Sequence, residues 1–139
     1  LKFWDSSAVV PLLVSEASTA ALNDILSADR NMHVWWATEV ECASSLARLE
    51  RAGVAPDVIE AALSRLNLLK EDWNEIAARP AVRTAARRLL RLHPLRAADA
   101  LQLAAALALA DGEPDTISFL SLDERLRQAA RLEGFPLLP

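Results

Sequence analysis

Short β-prone runs alternate with longer helical segments along this chain, and that alternation admits few folds. Lys2-Phe3-Trp4 leads into Asp5, and Ser6-Ser7 then signals a helix start. The pattern predicts a strand over residues 1–5 and a helix over 7–14. Ser18 and Thr19 offer an N-cap for a helix over 19–29, with Leu22, Ile25 and Leu26 on one face. His33-Val34-Trp35-Trp36 reads as a strand. Thr38 with Glu41 three residues later has capping-box spacing, so a helix is expected over 38–52, stopped by Gly53. Pro56 and Asp57 open a helix to about residue 69, and Trp73 to Ile76 reads as a turn or very short strand. Pro80 opens an amphipathic helix to about residue 92, with Val82, Ala86 and Leu89 inward. Residues 96–110 are rich in Ala and Leu and read as a buried helix, stopped by Asp111-Gly112. A strand over 117–122, a helix over 124–132 capped by Asp123, and a short strand over 135–138 complete the chain. The expectation is an α/β fold, its largely parallel sheet covered on both faces by helices. Ligands of such sheets sit beyond the carboxyl ends of the strands. Asp5 and Asp123 both fall at such ends.

The 139 residues suit one domain, 1–139, able to bury a core without disulfides or structural metal. Cys42 is the only cysteine, a usage that fits a reducing cytoplasm. The longest clean apolar run, 103–110, is far shorter than the ~18 residues of a membrane span. The N-terminal stretch has no basic lead or cleavage site and is expected to be structural rather than a signal peptide. A net charge of −4 argues against a general nucleic-acid coat but not against an enzyme that cuts nucleic acid.

Three acids stand in apolar settings. Asp5 adjoins an apolar strand and helix. Asp99 lies among Ala97, Ala98, Ala100, Leu101, Leu103 and Ala104. Glu41 lies between Val40 and Cys42. Burying such charges is costly unless they are paired or bind metal. Each has a local explanation as well. Asp5 and Asp123 could be N-caps, Glu41 a capping-box member, and Asp99 a partner of Arg96. Taken together, clustered carboxylates suit Mg²⁺ or Mn²⁺, and such an ion polarises a phosphodiester and balances charge on the leaving oxygen.

The order of these residues carries a resemblance. Asp5-Ser6-Ser7 follows an apolar strand, Thr38-Glu39-Val40-Glu41 opens a helix, and Leu95-Arg96-Ala97-Ala98-Asp99-Ala100-Leu101-Gln102-Leu103-Ala104 forms the most specific block. Phe119-Leu120-Ser121-Leu122-Asp123-Glu124-Arg125-Leu126 closes the series. Over essentially its whole length the chain resembles the PIN domain, in particular the VapC-type toxins of bacterial toxin–antitoxin pairs. The resemblance implies a three-layer fold with a central parallel sheet of four to five strands and an acidic Mg²⁺ pocket. It further implies endonucleolytic cleavage of RNA in the cytoplasm, inhibition by a cognate antitoxin, and a homodimer, with which an apolar fraction of 53% is compatible. The family's four acids map to Asp5, Glu41, Asp99 and Asp123, and its small hydroxyl residue to Ser7. Asp5, Asp99 and Asp123 would hold metal directly or through water, and Glu41 would complete the set. Ser121 stands where many relatives have Thr. The choice of Glu41 over Glu39 follows the alignment; the two point about 200° apart on a helix, so only one can face the pocket.

Other residues carry double readings. Arg79, Arg83, Arg87 and Arg91, spaced by four, form either a solvated face or a stripe for RNA phosphates or an acidic antitoxin segment. Arg96 is a supporting candidate for contact with phosphate or with a pocket carboxylate. Of Trp35 and Trp36, one is expected in the core and the other exposed. Cys42 is expected in the core, and His33 and His93 lack zinc-site spacing. The rival functions are a non-catalytic interaction module of the same fold and a phospho-aspartate protein. The latter lacks its Asp-x-Asp motif or late lysine, since Lys2 and Lys70 are the only lysines.

Overall fold

The structure, a computed structural model, describes residues 1–139. Its elements run β1 (Lys2–Trp4), α1 (Ser6–Leu13), α2 (Thr19–Ala28), β2 (His33–Trp35), α3 (Thr38–Arg51), α4 (Pro56–Asp72) and β3 (Asn74–Ile76). They continue with α5 (Pro80–Leu92), α6 (Ala97–Ala110), a 3-10 turn (Pro114–Thr116), β4 (Ser118–Leu120), α7 (Glu124–Leu132) and β5 (Leu137–Leu138). All five strands are parallel, in the order β3-β2-β1-β4-β5. The chain builds outward from β1 in one direction through β2 and β3, then crosses back to β4 and β5. The order therefore reverses between β1 and β4, and a crevice opens at the carboxyl ends of those two strands.

Strand alternation sorts the side chains into two cores. Phe3, Trp35 and Phe119 point to the face covered by α5, α6 and α7. Trp4, Val34 and Leu120 point to the face covered by α1 to α4. Phe3 stacks on Phe119 with ring centroids 5.4 Å apart, fixing the β1–β4 pair that frames the crevice. The central strands are therefore apolar on both faces, as a covered parallel sheet requires. Helix α6 is alanine-rich because it lies between α5 and the sheet; Ala100, Ala104, Ala105 and Ala106 are all inaccessible. Small side chains let its axis approach closely, and its first turn then hangs over the crevice.

Most sequence expectations hold to within a residue or two. The 73–76 segment is a strand, and Asp111 (φ 48°) followed by Gly112 (φ 86°) turns the chain out of α6 through left-handed conformations. Trp35 is buried and Trp36 is 57% exposed. Three local expectations fail. The capping box of α3 does not form; Ala37 occupies the N-cap, Thr38 is buried, and Glu41 turns to tertiary partners instead. Ser18 sits at the N-cap of α2 without a side-chain bond, while the Thr19 hydroxyl donates to the Pro11 carbonyl and accepts from the Glu16 amide. Helix α6 begins at Ala97 with Arg96 as its cap, and its first turn is not buried. At α3 the reason is tertiary: Gln102 of α6 takes Thr38 and Glu41 as partners in place of the local cap.

Because Leu103 is fully buried where α6 meets the sheet, Leu103→Ala is expected to cost about 3 kcal/mol. Urea unfolding should show a lower midpoint with an unchanged slope.

Candidate active site

Asp5 follows β1 directly, and its amide donates to the Leu120 carbonyl of β4 (2.9 Å). This bond pins the residue to the reversal point of the sheet. The residue is 3% exposed. Oδ2 accepts from the Ser7 hydroxyl (2.5 Å), the Ser121 hydroxyl (2.9 Å) and the Ser7 amide (3.3 Å), the last being the N-cap bond of α1. Both serine protons are committed to Asp5, so the 3.2 Å approach of Ser7 Oγ to Ser121 Oγ is packing rather than a bond. The same two hydroxyls accept from the next loop. Ser7 Oγ takes the Leu122 amide (2.9 Å) and Ser121 Oγ the Asp123 amide (3.1 Å). The serines thus weld the end of β1 to the end of β4. Oδ1 of Asp5 has only a long contact from Ser6 Oγ, at 3.5 Å, and retains most of its capacity to accept.

Glu41 reaches the cluster from the first turn of α3. Its Oε1 accepts from the Ser6 hydroxyl (3.1 Å) and its Oε2 from the Gln102 amide (3.1 Å). Glu39, two residues earlier, pairs instead with Lys70 of α4 at 2.5 Å, which settles which glutamate faces the crevice. Asp99 sits half-buried in the first turn of α6. No ion pair joins it to Arg96, so that local explanation of Asp99 does not apply. Asp123 caps α7 through the Leu126 amide (3.0 Å) and is exposed at the rim. Capping and cluster membership coexist in Asp5 and Asp123 because a carboxylate has more acceptor positions than one cap consumes.

The electrostatics show that the four acids share one neighbourhood. Burial pushes the Asp5 carboxyl up; its serine donors pull it down, and Asp99 raises it further. Glu41 is raised first by burial, opposed by Gln102 and Ser6, with Asp5 and Asp99 adding repulsion. Asp99 is raised by burial and then by Asp123, against the pull of Arg96 and Arg125. Each acid thus feels at least one other. The Cys42 thiol, buried behind Glu41, is pushed up to about 12, which makes it an inert packing group.

The sequence gives Ser6 and Thr38 only helix-start roles and gives Gln102 no role beyond its place in the Leu95–Ala104 block. Gln102 is fully buried and bridges Glu41 to the Thr38 hydroxyl (3.1 Å), while its Oε1 has no partner. Its signal was there to read. It is the single polar residue between 100 and 110, and it lies one turn after Asp99 on the same face of α6.

The carboxylates do not close on a single point; no three His, Cys, Asp or Glu side chains surround one ion position. The donor chemistry is nonetheless that of a hard cation. The set is all oxygen, three of its members are pushed towards protonation, and Asp5 Oδ1 is left open. An all-oxygen set of this kind suits a divalent ion that keeps several of its waters.

A raised carboxyl makes the metal-free fold less stable as pH climbs through the unfolded value near 3.8 and on past the folded one, and the deficit is complete at neutral pH. Asp99→Asn removes it. In chelator at pH 7.5 this variant is expected to melt a few degrees above the unaltered chain, roughly 3–5 °C per kcal/mol regained. The gap should close on acidification, as scanning calorimetry would show.

No curated protein matches the chain. Among solved structures, the crystal structure of PAE2754 from Pyrobaculum aerophilum is similar, with a TM-score of 0.69 and 16% identity. The alignment covers 98% of this chain and 82% of that one, a likeness of fold. The PIN domain family matches residues 2–132, which contain all four acids, all seven helices and every strand but β5. The chain belongs to the PIN domain family, a nuclease-type fold.

Proposed function

We propose that this protein is a metal-dependent endoribonuclease and the toxin of a VapC-like toxin–antitoxin pair, using Mg²⁺ or Mn²⁺ to hydrolyse phosphodiester bonds in cytoplasmic RNA. The observation that carries this reading is the hydrogen-bonded web at the reversal point of the sheet, in which Ser6 donates to Glu41, Ser121 joins the Asp5 carboxylate to the Asp123 amide, and Gln102, one turn after Asp99, donates to Glu41. A bound ion would polarise the phosphodiester and offset charge on the leaving oxygen. Asp5 would hold it through Oδ1, because Oδ2 is saturated by the serines. Asp99 and Asp123 would be its other holders. Glu41 is the base of this scheme. Its oxygens each accept one hydrogen bond, and its raised carboxyl suits it to take a proton from water attacking phosphorus. Ser7 and Ser121 are positioning residues that act through Asp5. A homodimer and a cognate antitoxin covering the crevice belong to the same proposal.

The non-catalytic alternative has one observation in its favour, the failure of any three acids to close around one position. One experiment separates the two. Purified protein is incubated with structured and single-stranded RNAs in Mg²⁺ or Mn²⁺, with and without chelator. Cleavage that needs the metal supports the nuclease, and metal binding by calorimetry without any cleavage supports the module. Asp5→Asn and Asp99→Asn should each lower cleavage at least ~100-fold while circular dichroism stays unchanged. Induced expression should arrest growth, and Asp99→Asn should relieve the arrest.

A further inference from the structure

The positive charges of this acidic chain are unevenly placed. Between residues 76 and 98 there is no Asp or Glu, and Arg79, Arg83, Arg87, Arg88, Arg91 and Arg96 all fall within that stretch. All six are exposed. Arg88 alone has an ionic partner, Glu133 of the α7 end, at 3.0 Å; Glu133 also takes His93 at 2.8 Å. Arg83, Arg87 and Arg91 lie at four-residue spacing on α5, which sets them about 6 Å apart along one stripe. Like charges so placed repel, and nothing in the chain neutralises them. A surface that keeps such repulsion suits a polyanion.

The stripe also leads somewhere. Helix α5 ends at Leu92, and four residues later Arg96 caps α6, whose first turn carries Asp99. His93 and Pro94 share a surface cleft with Arg125 of α7, and the charges of Arg96 and Arg125 both act on Asp99. A row of arginines therefore runs along α5 and ends at the rim of the carboxylates.

We propose that this stripe is the track on which single-stranded RNA approaches the crevice, with Arg87, Arg91, Arg96 and Arg125 holding successive phosphates. The proposal rests on the nuclease reading and names how its substrate is held. Two features favour RNA over an acidic protein segment. An amphipathic helical peptide docks by laying its apolar face into a hydrophobic groove, yet the groove beside Arg87, Arg88 and Arg91 is walled otherwise by Thr84 and a single apolar residue, Leu92; the apolar lining beside α5 lies at its other end, around Arg79. An acidic peptide continuing along the stripe would also run into four carboxylates, whereas a phosphodiester is the group those carboxylates would act on through a cation. The four-residue rise is comparable to the separation of phosphates along an extended strand.

The test uses Asp99→Asn protein, which binds without cutting, and a fluorescein-labelled single-stranded RNA of mixed sequence in Mg²⁺. Anisotropy is followed over a range of salt for two further variants on that background. Arg87→Gln/Arg91→Gln removes the track, and Arg30→Gln/Arg51→Gln removes the same charge from exposed sites elsewhere. The track variant should bind at least about tenfold more weakly at low salt, with a salt dependence shallower by about 1.4 in the log–log slope, and the control should stay close to its parent. Equal affinities and slopes in both variants, with the unaltered chain cleaving RNA, would overturn the track and leave the nuclease reading standing. Failure of the unaltered chain to bind or cleave any RNA in either metal would overturn both. If the track variant keeps its RNA affinity but loses capture of a poly-glutamate probe, the stripe serves an acidic protein and the proposal fails.

Discussion

The crevice holds together because like charges are kept close by neutral donors. Asp5, Glu41 and Asp99 all resist ionisation where they stand, and in a dry interior such a set would shed its charge by taking up protons. Ser6, Ser7, Ser121 and Gln102 hold it in place. Each is uncharged, so it fixes a carboxylate without cancelling it. A lysine in any of these places would form a salt bridge and leave nothing for a cation to bind. Arg96 and Arg125 act on Asp99 from exposed positions where solvent weakens their pull.

The fold supplies the rest by bringing backbone ends together. All four acids stand at or next to the start of a helix: Asp5 before α1, Glu41 in the first turn of α3, Asp99 in the first turn of α6 and Asp123 before α7. Helix N-termini carry unsatisfied amides and positive dipole ends, which ease the gathering of negative charge. Helices α1, α3 and α7 start just after β1, β2 and β4, so their N-termini lie at the carboxyl edge of the sheet, and α6, which follows α5, brings Asp99 to the same edge.

Much of this was legible in the sequence, and the limits have a physical form. The strand ends before Asp5 and Asp123 could be read because each acid follows an apolar run and opens a helix-start signal. The strand at 74–76 was ambiguous because Asn74 and Glu75 are exposed on an edge and lack the apolar pattern of the central strands. The capping box at Thr38 and Glu41 was a reasonable local inference that lost to tertiary partners. Gln102 lies 64 residues from Thr38 and 61 from Glu41. No periodicity reports a hydrogen bond over that separation. What the sequence could offer was the oddity of one amide in an apolar helix, and a buried amide must find a partner somewhere.

A net charge of −4 describes this molecule poorly, because its charges are sorted rather than mixed. Acids gather in the crevice, and arginines gather on the helix that leads to it. On the nuclease reading, a phosphodiester strand would be attracted by the second field and repelled by the first until a divalent cation changed the sign of the crevice. Binding and chemistry would therefore respond to different ions in opposite ways. Monovalent salt would screen the arginines and loosen the strand, whereas a divalent ion would act at the carboxylates and let the strand settle. The division follows from distance, since the exposed stripe lies in water and the acids lie in the lower dielectric of the sheet edge, where a bound ion's charge is felt more strongly.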